Sequence, residues 1–237
     1  EIVLTLQPGM TVSGRVQFES ASPPTDLTGA RVSLTPRGPQ IMEATLQPGD
    51  TDSEGRFSIL GVSPGRYALT ATLLGGGRGG RGGPGAILPG AGTAGQWQLK
   101  SAMYNGRDLL DFPVEIGPNQ NLQNVIVTYT DKTQELTGTL QDTTGRPTAD
   151  FTIIVFPSNA EFWQPQSRRI SATRPGTDGR FTFRGLPPGD YRLTAVTDIE
   201  PGEWYDPAFL QQLNNASIPI SLSEGERKVQ DIRLAGN

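Results

Sequence analysis

One pattern of glycine, proline and aromatic residues occurs twice in this chain and limits what it can fold into. Gly55, Arg56, Phe57, Gly61, Pro64, Gly65, Tyr67, Leu69 and Ala71 return at the same spacing as Gly179, Arg180, Phe181, Gly185, Pro188, Gly189, Tyr191, Leu193 and Ala195. A glycine placed after an acidic residue, Glu54 or Asp178, suits a turn with positive φ. The apolar residues that follow fall two apart: Phe57 and Ile59, then Tyr67, Leu69 and Ala71; Phe181 and Phe183, then Tyr191, Leu193 and Ala195. That is the period of a half-buried strand. Between the strands, Gly61 to Gly65 and Gly185 to Gly189 bend around a Pro-Gly pair. Each copy predicts strand, corner, strand, and two copies predict two domains.

Composition points the same way. With 30 glycines and 20 prolines in 237 residues, and with Val, Ile, Thr and aromatic residues in short runs between turn signals, the chain reads as all-β. Helix-type periodicity is confined to one place. There Asp206 is placed to cap, Pro207 to occupy the first helical position, and Phe209, Leu210 and Leu213 to bury one face, which predicts a short helix over 206–213.

A glycine also opens the strand preceding each copy, Gly14 within Val12–Val16 and Gly138 within Leu136–Leu140. With these, the run G-x-F-x-[IF]-x-G-[LV]-x-P-G-x-Y-x-[LV], present twice, resembles the carboxypeptidase regulatory-like domain, a transthyretin-like (prealbumin-like) β-sandwich. The resemblance implies two tandem Ig-like/prealbumin-like β-sandwich domains, of seven or eight strands each, in an exported bacterial protein. It also implies no catalytic residues, since such domains accompany peptidases, outer-membrane receptors and adhesins.

Taken in order, residues 1–9 carry an extra apolar strand, Ile2, Val3, Leu4, Thr5 and Leu6, closed by a Gln7-Pro8-Gly9 turn. The first sandwich spans 10–130, with strands expected near 12–19, 30–35, 41–46, 56–60, 67–73, 96–103, 112–116 and 122–129. A glycine-rich loop interrupts it at 74–95, because ordering so many glycines costs the most backbone entropy. Residues 131–135 read as a polar linker joining the domains end to end, and 136–237 as the second sandwich, finishing with strands at 217–222 and 229–234. IVLTL resembles the segments that close the repeats, VIVTY at 125–129 and IRL at 232–234, so three closing strands serve two domains.

The chemistry that the sequence excludes is broad. It contains no histidine and no cysteine, which removes Ser-His-Asp and Cys-His constellations and the usual zinc and copper sites. No phosphate-binding loop or dinucleotide fingerprint is present. The carboxylate pairs Asp108/Asp111 and Glu203/Asp206 read as solvated turn residues. Asp50-Thr51-Asp52-Ser53-Glu54-Gly55 imitates the start of a calcium loop, but Gly61 stands where the bidentate glutamate is needed. A net charge of −4 opposes nucleic acid despite two Arg-Gly-Gly units in the loop, and no apolar run is long enough to span a bilayer. No metal or cofactor is expected. Lys100, Lys132 and Lys228 lie outside the first strand of either repeat, so no lysine isopeptide crosslink is expected.

What remains is surface chemistry. Phe162-Trp163 and Trp204-Tyr205 are candidate contacts for glycan or a partner protein, with a lid over the open end of the second sandwich as the plainer reading. Asn215-Ala216-Ser217 is a candidate N-glycosylation sequon. A chain that opens on Glu1 looks like a mature exported polypeptide, as would a trimmed piece of one. The expected function is a non-catalytic structural subunit, secreted or at the cell surface, that self-associates into a filament by lending Ile2–Leu6 to a neighbour. Folding of that strand onto its own first domain, or its origin in a preceding repeat, stays open. The alternative function is a glycan- or protein-binding accessory module of a larger secreted enzyme or receptor.

Overall fold

The computed structural model describes residues 9–37, 46–73, 97–197 and 199–234. The expectations for Ile2–Leu6 and the glycine-rich 74–95 fall outside the described residues, as does the strand expected over 41–46 except Leu46, which lies in no strand. The architecture is all-β, with four sheets forming two sandwich-like domains, and the chain divides into compact units at Glu1–Asp131 and Lys132–Asn237.

The first unit is built from β1 (Met10–Glu19), β2 (Ala30–Pro36), β3 (Gly49–Asp50), β4 (Arg56–Val62), β5 (Gly65–Leu73), β6 (Gln98–Tyr104), β7 (Arg107–Asp108), β8 (Val114–Ile116) and β9 (Leu122–Thr130). One sheet runs β4-β1-β9-β6-β7 and the other β3-β2-β5-β8. β9 lies parallel to β1 and antiparallel to β6. Alternate residues of the longer strands enter one core, among them Val12, Val16, Phe57, Ile59, Tyr67, Leu69, Val125 and Val127. Each such side chain removed from water contributes about 1.5–3 kcal/mol.

The second unit repeats this plan with β10 (Glu135–Gln141), β11 (Thr152–Pro157), β12 (Ser171–Thr173), β13 (Arg180–Arg184), β14 (Gly189–Val196), β15 (Ile218–Leu222), β16 (Arg227–Val229) and β17 (Ile232–Arg233). Its sheets are β13-β10-β16, with β17 also on β10, and β12-β11-β14-β15. The corners match in detail. The Tyr67 hydroxyl donates to Ser63 O at 2.9 Å and the Tyr191 hydroxyl to Pro187 O at 2.6 Å. Gly55 and Gly179 take φ of +79° and +74°, and Gly61 and Gly185 take +73° and +75°.

The units differ in what fills the chain between two equivalent strands. β8 pairs with β5 as β15 pairs with β14. In the first unit the chain between them supplies β6 and β7, which extend the sheet beyond β9. In the second it supplies a 3-10 turn at Glu203–Tyr205 and the helix α1 (Pro207–Asn214), so no described strand lies beyond β16 and β17.

Several expected boundaries move for identifiable reasons. The strand expected at 112–116 shortens to Val114–Ile116, because Phe112 N donates to Asp108 O within a turn. The closing strand expected at 229–234 is split at Gln230–Asp231, where Asp231 Oδ1 takes the Thr139 N–H in place of a backbone carbonyl. The polar linker is absorbed at both ends. Ser20 Oγ donates to Asp131 Oδ2 at 2.5 Å in the first unit. In the second, Gln134 is buried, its amide donating to Leu186 O and accepting from Gly225 N at 3.2 Å each.

Candidate functional site

β11 reads TIIVFP and is buried at every position. Ile153 and Val155 face the sandwich interior, whereas Ile154 and Phe156 face outward into a second cluster with Trp163, Ile170 and Leu210. A third layer therefore covers the outer face of this sheet. Asp206 Oδ1 accepts the Ala208 N–H at 2.9 Å with Pro207 in the first turn, and α1 so capped delivers Leu210 to the cluster.

Both aromatic pairs singled out from the sequence belong to this layer, which covers a sheet face rather than the sandwich's open end. Trp163 is 7% exposed, its Nε1 donates to Pro157 O at 2.7 Å, and its ring stands edge-on to Phe156 at 5.8 Å. Phe162 lies half-buried under the Arg169 guanidinium, 4.5 Å from the ring centroid. Trp204 and Tyr205 pack half-buried against the same cluster. Asn215 is exposed at the end of α1, two residues before Ser217, whose hydroxyl donates to Asn214 O at 2.7 Å.

Of the carboxylates considered for catalysis or calcium, Asp108, Glu203, Asp206 and Asp52 serve the backbone. Asp108 Oδ1 accepts from Ala102 N at 2.9 Å and Leu110 N at 3.0 Å, and Glu203 Oε2 accepts from Glu200 N at 3.1 Å. Asp52 Oδ1 accepts from Glu54 N and Arg56 N at 2.9 Å each, while Asp50 pairs with Arg31 at 2.7 Å. Among the described residues, no group of three or more acidic side chains is placed to hold a metal ion.

These bonds also fix the pH response. The Arg31 hydrogen bond holds Asp50 below its usual range, the Arg56 N–H does so for Asp52, the Thr144 hydroxyl for Asp142 and the Ser223 N–H for Glu226. A depressed carboxyl contributes stability that is complete above its unfolded value and lost as pH falls through the folded one. Burial raises Tyr67 and Tyr129, so their contribution is complete below the unfolded value and lost only at strongly alkaline pH. With no histidine between these limits, the melting temperature should be level from about pH 5 to about pH 9 and fall below about pH 4. A transition centred near neutrality in a calorimetric pH series would contradict this.

Two features escaped the sequence reading. Phe18, Trp97 and Tyr129 form an aromatic group in the first unit, with the Phe18 ring centroid 4.8 Å from that of Trp97 and 5.4 Å from that of Tyr129; among the described residues the buried Trp97 Nε1 and Tyr129 hydroxyl have no hydrogen-bond partner. The other is the edge of β16 and β17, where Val229 is 73% exposed. Its signal was available, since nothing in the second repeat corresponds to the strand expected at 96–103.

Residues 135–204, less than a third of the chain, match the carboxypeptidase regulatory-like domain. No curated protein matches the chain. Among solved structures, the Bacillus anthracis TIE protein is similar at 14% identity and a TM-score of 0.30, over 95% of this chain and 33% of that one. The chain thus spans about a third of that protein's length. GBS52, the minor pilin of Streptococcus agalactiae, is similar at 10% identity and a TM-score of 0.36, over 95% of each chain. Catechol 1,2-dioxygenase from Acinetobacter sp. ADP1 is similar at 14% identity and a TM-score of 0.28, over 44% of this chain and 52% of that one. Likenesses of this size, spread over a pilin and an oxygenase, carry no information about what this chain does. Among the described residues, no helix is long and apolar enough to cross a membrane.

Proposed function

We propose that the chain is a non-catalytic structural subunit of a bacterial assembly outside the cell, and that it polymerises by adding Ile2–Leu6 to a neighbouring copy. The observation that carries this reading is that each unit fills its own closing position. β9 lies parallel on β1 in the first, and β16 with β17 lies parallel on β10 in the second. The apolar segment IVLTL is therefore surplus to both domains. A surplus apolar strand is an aggregation hazard unless another sheet edge takes it up, and strand addition supplies main-chain hydrogen bonds together with pockets for alternate side chains. A contact between unlike surfaces propagates as a fibre unless its rotation closes a ring.

Removing residues 1–8 should abolish the larger species in sedimentation velocity and the linear particles in electron microscopy. Because neither core needs the segment, the melting temperature should move by no more than a surface change would cause, about 0.5 kcal/mol in stability. Assemblies that survive the deletion unchanged would sink the reading. A second reading, a glycan- or protein-binding accessory module, is favoured by the half-buried rings of Phe162, Trp204 and Tyr205, which keep an accessible side. Retention of the monomer on an immobilised glycan, lost in Trp204→Ala, would select it.

A further inference from the structure

The chain contains its own example of how the second unit's open edge is filled. In the first unit β9 has a strand on either side, β1 in parallel and β6 in antiparallel, with Leu99 opposite Tyr129 and Ala102 opposite Val127. The equivalent residues of the second unit follow from the close approach of a strand glycine to a carbonyl. Gly14 meets Val125 O as Gly138 meets Gln230 O, and Val16 pairs with Val127 as Leu140 pairs with Ile232. Ile232 and Leu234 thus stand where Val127 and Tyr129 stand. Tyr129 is buried where β6 lies beside it, but Leu234 is only half-buried, and no described strand lies on its side away from β10.

The backbone of this edge is oriented for pairing. Gln230 N donates to Thr137 O at 2.8 Å and Leu234 N to Gln141 O at 2.9 Å. Strand alternation then turns the N–H and C=O groups of Val229 and Arg233 away from β10, toward the open side, while at the break between β16 and β17 the Asp231 carbonyl accepts from Gln230 Nε2 at 3.0 Å. Two other edges are protected. β15 carries Pro219 opposite Arg192, and since the pairing with β14 continues through it, its hydrogen-less nitrogen faces outward. β4 is flanked by Gly49, where a Cβ would come within 3.0 Å of Ser58 O, and by Gly9, packed against Gly61. No proline occurs between Arg227 and Leu234.

We propose that the edge formed by β16 and β17 accepts Ile2–Leu6 of a second copy as an added antiparallel strand, in the place that β6 takes in the first unit. The inference rests on the reading above that this segment pairs in trans, and it names the surface. Five residues span roughly 17 Å at about 3.4 Å each, enough to cover Val229 to Arg233. Ile2, Leu4 and Leu6 fall on one face, as Leu99 and Ala102 do in β6. The only charged side chain in residues 1–8 is Glu1, opposite in sign to Arg227, Lys228 and Arg233.

The full chain has no cysteine, so a pair can be introduced without background. Thr5→Cys combined with Val229→Cys or with Arg233→Cys, oxidised and run without reductant, should give a ladder of linked subunits that collapses on reduction. Either single variant should give at most a dimer. Arg233→Pro removes an outward N–H and leaves the Leu234 bond to β10 in place, so self-association should weaken at least about tenfold with the melting profile retained. Linkage within one chain would overturn the second copy as occupant. Wild-type assembly by Arg233→Pro, or the absence of ladders from both pairs, would overturn the edge. In that case deletion of residues 1–8 still abolishes assembly if the broader reading holds, whereas assembly by the deleted chain means the broader reading itself has failed.

Discussion

Replacing Phe181 by alanine should lower the stability of the second unit by about 3–5 kcal/mol, measured by urea unfolding. Phe181 is 3% exposed, lies on β13 opposite Gly138, and packs edge-on to Phe183 with ring centroids 6.0 Å apart. Truncation removes the ring's burial and leaves a void beside strands fixed by their own hydrogen bonds, so the site cannot collapse to refill it. A loss below about 1 kcal/mol would mean that the ring faces solvent, and the reading of strand faces would be reversed.

Gly138→Ala should cost about 3 kcal/mol, the upper end for inserting volume into a packed site. A Cβ at this position would overlap the Gln230 carbonyl oxygen and come within 2.6 Å of Phe181 Cζ and 2.7 Å of the Gln230 carbonyl carbon. Neither neighbour can yield cheaply. The first is backbone held by the bond from Gln230 N to Thr137 O, and the second is a core ring. Accommodating the methyl group would separate β10 from the segment that closes its sheet. The control is Gly61→Ala, where φ is +73° but nothing lies within 4 Å of the added carbon, so only the backbone conformation is penalised, by about 1 kcal/mol. If the two substitutions were equally mild, the close approach would not be what requires the glycine.

The repeated hairpins, their buried faces and the capped helix were legible because each is encoded within a few residues. Period-two alternation places Phe57, Phe181, Tyr67 and Tyr191, positive-φ glycines set the turns, and Asp206-Pro207 starts the helix. What could not be read depends on contacts between distant segments. Gly138 was visible as a strand glycine, but its reason is the carbonyl of Gln230, which no local pattern reveals. Gln134 looked like linker because its partners, Leu186 and Gly225, come from two other loops. The aromatic pairs were recognised as a unit with two plausible uses, yet that Trp163 and Trp204 serve the same cluster required the fold to bring residues 154, 170 and 210 together. Of the candidate surface, the exposed edge at Val229 would have been found by asking which strand of the first repeat has no counterpart in the second.

The third layer has a consequence for how freely the sequence of this unit can drift. On β13 the pattern is open at every second position, so Arg180, Thr182 and Arg184 can be exchanged for other polar residues while Phe181 and Phe183 are kept. β11 has no such open register. Thr152 through Pro157 are all closed to water, Ile153 and Val155 facing one cluster and Ile154 and Phe156 the other, and a polar replacement at any of these four would have to find a hydrogen-bond partner indoors. β11 is therefore the strand of the second unit in which a library of viable variants should be nearly silent.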